Sequence, residues 1–208
     1  MDGNNRWSKI NKINLSKSYK AGAEKLFKIV DHCFFYHKIN YVSAFALSSH
    51  NLSRPKNVLL PIMKLLDFYL DELLSNTLKY KYNIRFIGNF EIFKKETVKK
   101  LLYINNQNKF SKTLIIALNY SGSDDIIRAA NLLKNNKLKF PDLLSTAKYP
   151  NPDLLIRTGG YQRLSDFFLF QMCFTEFFFL KTLWPNLKTK SVDIVIDKYL
   201  KIERKFGK

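Results

Sequence analysis

Apolar positions along the chain switch repeatedly between helical and strand periods. Residues 18–37 set Ala23, Leu26, Phe27, Val30 and Phe34 at helical spacing. Asn40–Leu47 reads as a strand. Pro55 opens a long helix, and Val58, Ile62, Leu65, Leu66, Tyr69, Leu70, Leu73 and Leu74 give it a wide apolar stripe to about residue 79. Asn83–Ile87 is a strand ended by Gly88, Glu91 to about Asn106 a helix, and Thr113–Asn119 a buried strand. A helix over about 123–136 takes Ser123 as its N-cap. Asp153–Arg157 is a short strand closed by Thr158, Gly159 and Gly160. Leu164–Thr175 reads as helix, Glu176–Leu183 as strand, and about 190–205 as a final helix.

Strands alternating with helices of this length predict one α/β domain, a central and mainly parallel sheet flanked by helices. Ligands of such sheets bind at the carboxyl ends of the strands. Polar clusters at residues 2–7, 48–54, 119–125 and 157–165 fall at those ends or at the head of the chain.

Composition narrows the class. The 208 residues are 46% hydrophobic and 15% aromatic, which excludes disorder and suffices for one core without staples. Lys+Arg 35 against Asp+Glu 17 gives +18. The excess is 28 Lys and only 7 Arg, beside 19 Asn, the usage an AT-rich genome produces by codon drift. Much of the charge is then a solvated Lys surface, a reading that ranks above nucleic-acid binding. Cys33 and Cys173 form no metal spacing or disulfide framework, which fits a reducing compartment. The most apolar stretch, Phe167–Leu183, is broken by Gln171, Thr175, Glu176 and Lys181, so no membrane span is expected. The polar N-terminus has no signal-peptide pattern, and the expected location is cytoplasmic, with basic charge able to rest on an anionic membrane.

In a chain that writes Lys nearly everywhere, arginine marks places needing a planar, bidentate donor. Arg6, Arg54, Arg157 and Arg163 lie in the polar clusters, so they either hold two phosphate or diphosphate groups or are ordinary surface charge. Asp2-Gly3-Asn4-Asn5-Arg6 joins a carboxylate to a flexible Gly and backbone donors. It can wrap a phosphate and hold Mg²⁺, or simply fray. Glu176, among Phe174, Phe177, Phe178 and Phe179, needs a metal, an Arg or exposure. Ser48, Ser49 and Asn51 suit a polar substrate head or cap the next helix. His50 has no triad or metal partner at recognisable spacing, and His32 and His37 read as structural or exposed.

Together these pieces resemble the cis-prenyltransferases of the undecaprenyl diphosphate synthase type. The matching segments are MDGNNRW at 1–7, KAGA at 20–23, SSHNLSRP at 48–55, IRFIG at 84–88, IALNYSGSDDI at 116–126, DLLIRTGG at 153–160, RLSDF at 163–167 and TEFFFLKTLWP at 175–185. They occur in family order across nearly the whole chain. The resemblance implies that Asp2 binds Mg²⁺ and assists at the diphosphate, with Gly3, Asn4, Asn5, Arg6 and Trp7 cradling the allylic diphosphate. It implies that Asn51 assists proton removal and that Ser48, Ser49 and Arg54 bind substrate. Arg157, Arg163, Leu164 and Ser165 then hold the isopentenyl diphosphate head, and Glu176 is the second metal carboxylate. The implied reaction adds isopentenyl diphosphate to an allylic diphosphate such as farnesyl diphosphate with cis double bonds, and a long-chain product serves cell-wall glycan assembly. An apolar tunnel lined by the helices from Pro55 and Glu91, a homodimer through the Arg157–Leu183 region, and membrane lipid aiding release belong to the same picture.

The chain also departs from the pattern. The family's phosphate-binding arginine falls on Leu15, its glycine-histidine pair on Ser18 and Tyr19, and its SSENW-like glutamate and tryptophan on His50 and Leu52. Tyr161 and Gln162 replace an acidic residue and its neighbour, and the family's first strand has no counterpart ahead of Met1. Three readings follow: an active cis-prenyltransferase, a catalytically impaired relative serving as a partner subunit, and, last, a basic nucleic-acid-binding protein.

Overall fold

The computed structural model describes residues 1–75, 79–134 and 137–204. In order come α1 (Asn4–Ile10), α2 (Leu15–Asp31), β1 (Tyr41–Ser48), α3 (Lys56–Ser75), β2 (Asn83–Ile87), α4 (Lys95–Asn105), β3 (Thr113–Tyr120), α5 (Gly122–Leu133), β4 (Leu154–Arg157), β5 (Glu176–Phe179) and α6 (Thr189–Tyr199). The strands are all parallel, but they form two sheets, β1-β3-β2 and β4-β5, where one central sheet is expected.

β3 is the axis of the larger sheet and is buried at every position. Leu114, Ile116 and Leu118 face a core with Val30, Phe34, Leu70, Leu101, Leu187 and Val192. Ile115, Ala117 and Tyr120 face a second core with Phe167, Phe168 and Met172. A parallel strand covered on both faces reads as a continuous apolar run, which is why TLIIALN was legible.

Helix ends differ from the expected ones for local reasons. α2 starts at Leu15 because the Asn14 side chain accepts from the Lys17 N–H at 2.8 Å. It ends in one π-helical turn, His32–Tyr36. The cap of α5 is Ser121, which accepts from Asp124 N–H at 3.0 Å, not Ser123. The stretch from Glu91 turns before becoming helical at Lys95. The ends expected near residues 79, 136 and 205 abut or fall on residues outside the described ones.

Leu164–Thr175 is not a helix. Ser165, Asp166 and Phe168 take positive φ (53°, 65° and 47°), which a helix forbids. Tertiary contacts impose that path: the Asp166 carboxylate accepts from Ser123 N–H (2.9 Å) and Oγ–H (2.8 Å), and its carbonyl from Gly122 N–H (2.7 Å). Phe167 then stacks on Phe45, ring centroids 4.7 Å apart. The last strand is shorter than expected, Glu176–Phe179 rather than Glu176–Leu183. Of the two helices expected to line a tunnel, α3 contributes Ile62 to the wall of a cavity. α3 packs on α2 through Tyr69 and Phe27 (5.5 Å), and on α4 where Thr97 Oγ–H donates to Asp67 at 2.7 Å.

Gly88 shows how tightly the end of β2 is fitted. Its φ is 120°, and an added Cβ would lie 1.9 Å from the Leu118 carbonyl oxygen of β3. Backbone strain and a clash with a backbone atom then add. Gly88→Ala is expected to destabilise the fold by about 3 kcal/mol, checked by urea unfolding, whereas Asn89→Ala next door should cost far less.

Candidate functional site

A cavity of about 1360 Å³ separates the two sheets. Its walls are β1 from Tyr41 to Phe45 and β4 from Leu154 to Arg157, and its mouth lies at the carboxyl ends of both strands. Asp2, Gly3, Asn4, Asn5, Arg6, Ser48, Asn51, Arg54, Arg157, Arg163, Leu164 and Ser165 all line it. Three of the four polar clusters thus converge. The fourth, 119–125, acts from behind by holding Asp166 through Ser123.

The chain enters the mouth through a backbone clamp. Thr158 Oγ accepts from Asp2 N–H (3.1 Å) and donates to Asp2 C=O (2.9 Å), and Trp184 N–H donates to the same carbonyl (3.0 Å). The Asp2 side chain is therefore aimed without using its carboxylate. Arg157 Nη2 donates to Asp2 Oδ2 at 3.1 Å, and Arg6 Nη2 lies 3.4 Å from Oδ1. Arg157 Nη1 reaches Ser165 Oγ at 2.8 Å and the Arg163 carbonyl, while its buried Nε has no partner. Tyr161 offers its ring to two guanidinium groups: Arg6 lies 4.8 Å and Arg163 4.1 Å from its ring centre.

Gly159 lets the backbone approach the charged groups closely. A Cβ there, where φ is 88°, would lie 2.5 Å from Arg6 Nη2 and 3.2 Å from Asp2 Cγ. Mg²⁺ typically takes one or two carboxylates plus substrate phosphate oxygens. One carboxylate on the cavity wall, beside two arginines suited to phosphate oxygens, fits that donor set.

Three expected site residues stand apart. Trp7 donates its indole N–H to Asn186 Oδ1 at 2.8 Å, pinning α1 to the turn before α6 rather than facing the cavity. Ser49 does not line the cavity, while Ser48 both lines it and accepts from His50 N–H at 3.3 Å. Glu176 is not brought to Asp2 within the chain. It begins β5 opposite Leu154, three positions before the Arg157–Phe179 pair, about 10 Å along the strand.

Other contributors were given no site role from the sequence. Thr158 makes the clamp. His50 Nε2 meets Asp166 Oδ2 at 3.1 Å, giving it a partner 116 residues away. Burial pushes the Asp166 carboxyl up, but hydrogen bonds from Ser121, Ser123 and His50 outweigh this and hold it below the usual range. Burial also raises the Tyr19 phenol, an effect the Arg54 guanidinium partly offsets. Both line the cavity.

Comparison with known proteins agrees over the whole chain. Residues 1–207 match the family described as "Putative undecaprenyl diphosphate synthase". An isoprenyl transferase of Helicobacter pylori is 34% identical over 220 residues, covering 100% of this chain and 94% of that protein. Dehydrodolichyl diphosphate synthase 4 of Arabidopsis thaliana is 35% identical, covering 100% of this chain and 77% of that protein. Among solved structures, lavandulyl diphosphate synthase from Lavandula x intermedia, in complex with dimethylallyl diphosphate, superposes with a TM-score of 0.90 at 26% identity. The superposition covers 100% of this chain and 95% of that one.

The site carries its own pH signature. Because burial of the Asp166 carboxyl is outweighed by hydrogen bonds that hold it below the usual carboxylate range, the unfolded chain binds that proton first as pH falls, so this stability is lost on acidification. Denaturant titrations at descending pH test this, and Asp166→Asn should flatten the acid limb.

Proposed function

Because the chain belongs to the undecaprenyl diphosphate synthase family of cis-prenyltransferases, we propose that it adds isopentenyl diphosphate units to an allylic diphosphate, farnesyl diphosphate first. We further propose that the product is long-chain, undecaprenyl diphosphate, the glycan carrier lipid of cell-wall synthesis. The observation that carries the reading is the mouth itself. Asp2, Arg6 and Arg157 meet over Gly159, with Arg163 and Ser165 alongside.

In this reaction the allylic C1–O bond breaks and its electron pair leaves with the diphosphate. The isopentenyl double bond attacks C1, and a proton is lost from its C2. Arg6 and Arg157 meet the charge growing on the leaving group with forked donors already in place. Mg²⁺ held by Asp2 would supply further neutralisation there when bound. Arg163 and Ser165 hold the isopentenyl head, and the Tyr161 ring helps fix the Arg6 and Arg163 guanidinium groups. An oxygen of the released diphosphate takes the proton, and Asn51 on the cavity wall assists by hydrogen bonding.

Two further parts of the reading rest on exposed or open surfaces. The edges of β1 and β4 face each other unpaired across the cavity, and Leu154, Leu155 and Ile156 are only half-buried there. We read the gap as the seat of one more parallel strand, entering from ahead of Met1. Leu169, Phe170, Phe174 and Phe177 are 38%, 38%, 61% and 41% exposed, an apolar area suited to a second copy of the chain. No described helix is long and apolar enough to cross a membrane, so lipid contact, and with it a cytoplasmic enzyme drawing product into the bilayer, would be peripheral.

The test is incorporation of labelled isopentenyl diphosphate onto farnesyl diphosphate with Mg²⁺ and mild detergent. Asp2→Ala keeps the backbone clamp and should still fold while losing about 10²–10³ in kcat. Arg157→Lys, which loses the fork, should lower kcat/KM about tenfold or more. Activity appearing only in an upstream-extended chain would support the strand seat. A folded chain inactive in both forms would favour the partner-subunit reading, and short products would overturn the long-chain assignment.

A further inference from the structure

Away from the mouth, three side chains from distant parts of the sequence converge. His32 Nε2 lies 2.5 Å and His37 Nε2 2.7 Å from the same oxygen, Asp193 Oδ1. The three ligand-type atoms fall within 4.8 Å of one another. The π-helical turn makes this possible. In an α-helix, residues five apart point about 140° away from each other. The His32–Tyr36 turn adds a residue to the circuit, and His37 N–H donates back to the His32 carbonyl at 3.3 Å. Both imidazoles then face α6. Tyr36 stacks on His32 with centroids 4.8 Å apart and planes 11° apart, fixing that ring. The side chains are 19%, 13% and 31% exposed, shielded yet open on one side.

We propose that His32, His37 and Asp193 form a binding site for a borderline divalent transition ion, Zn²⁺ by preference, that clips the end of α2 to α6. Two imidazole nitrogens and one carboxylate oxygen are the donor set that Zn²⁺, Co²⁺ and Ni²⁺ accept and Mg²⁺ does not favour. Ligand atoms of a tetrahedral ion stand about 3.3 Å apart, so the carboxylate would retreat by less than about 1 Å while the two imidazole nitrogens, within 4.8 Å of one another, adjust their rings toward the ion. A fourth position stays open to water on the exposed side. His37 lines the same cavity as the proposed diphosphate-binding groups but far from its mouth: His37 precedes β1 and Ser48 ends it, eight strand residues or roughly 23 Å further on. The clip would close a loop of 161 residues and secure α6, whose Val192 and Ile196 belong to the main core.

The experiment uses the tag-free chain, stripped with chelator and titrated with Co²⁺ and Zn²⁺. We expect one Co²⁺ per chain, with a visible d–d band of tetrahedral or five-coordinate type. Zn²⁺ should displace it, and millimolar Mg²⁺ should not. Zn²⁺ at 100 times its Kd should raise Tm by about 5 °C. His37→Gln and Asp193→Asn, near-isosteric and with folding checked by circular dichroism, should each weaken binding by at least about 100-fold. Absence of saturable binding in the folded wild type would overturn the proposal. So would a band or Tm shift surviving unchanged in the double variant.

Discussion

The Thr158 hydroxyl holds the two ends of the site together. By accepting from the Asp2 N–H and donating to the Asp2 carbonyl, it sets the head of the chain at the end of β4. Everything chemical at the mouth follows from that register. Asp2 points at Arg157, α1 begins at Asn4, and Gly22 of α2 must lack a Cβ, which would sit 2.3 Å from Asn4 Oδ1. Because the clamp uses backbone and a neutral hydroxyl, the carboxylate of Asp2 is left to pair with Arg157 and Arg6, and a charged ligand would exchange for those pairs.

Much of the frame was legible because burial leaves a period in the sequence. β3, covered on both faces, is an unbroken apolar run, and α2 and α3 carry stripes that no strand would. The 164–175 segment misled for the same reason. Phe167, Phe168, Leu169 and Met172 are spaced as on a helix, yet the Asp166 carboxylate is captured by the start of α5, and three positive φ angles follow. Local pattern loses to a tertiary bond that has no local signal.

The site divides similarly. Arginine in a lysine-rich chain pointed to Arg6, Arg54, Arg157 and Arg163, and all four line one cavity. Trp7 belongs to the same motif but points elsewhere, because its partner Asn186 lies 179 residues away. Tyr161, a departure from the family pattern, offers its ring to two cations. His32 and His37 gave no sign of a common partner, because Asp193 is remote and a π-helical turn is not written in any residue period.

The long span of the Thr158 clamp has a kinetic side. Its partners are 156 residues apart, whereas β1, β3 and β2 pair within a continuous stretch of chain. Contacts between remote residues bear the largest loop-closure entropy and tend to form late. The larger sheet can assemble around β3 while the head of the chain is still searching for β4. The mouth of the cavity is then expected to be the last part of the molecule to close during folding.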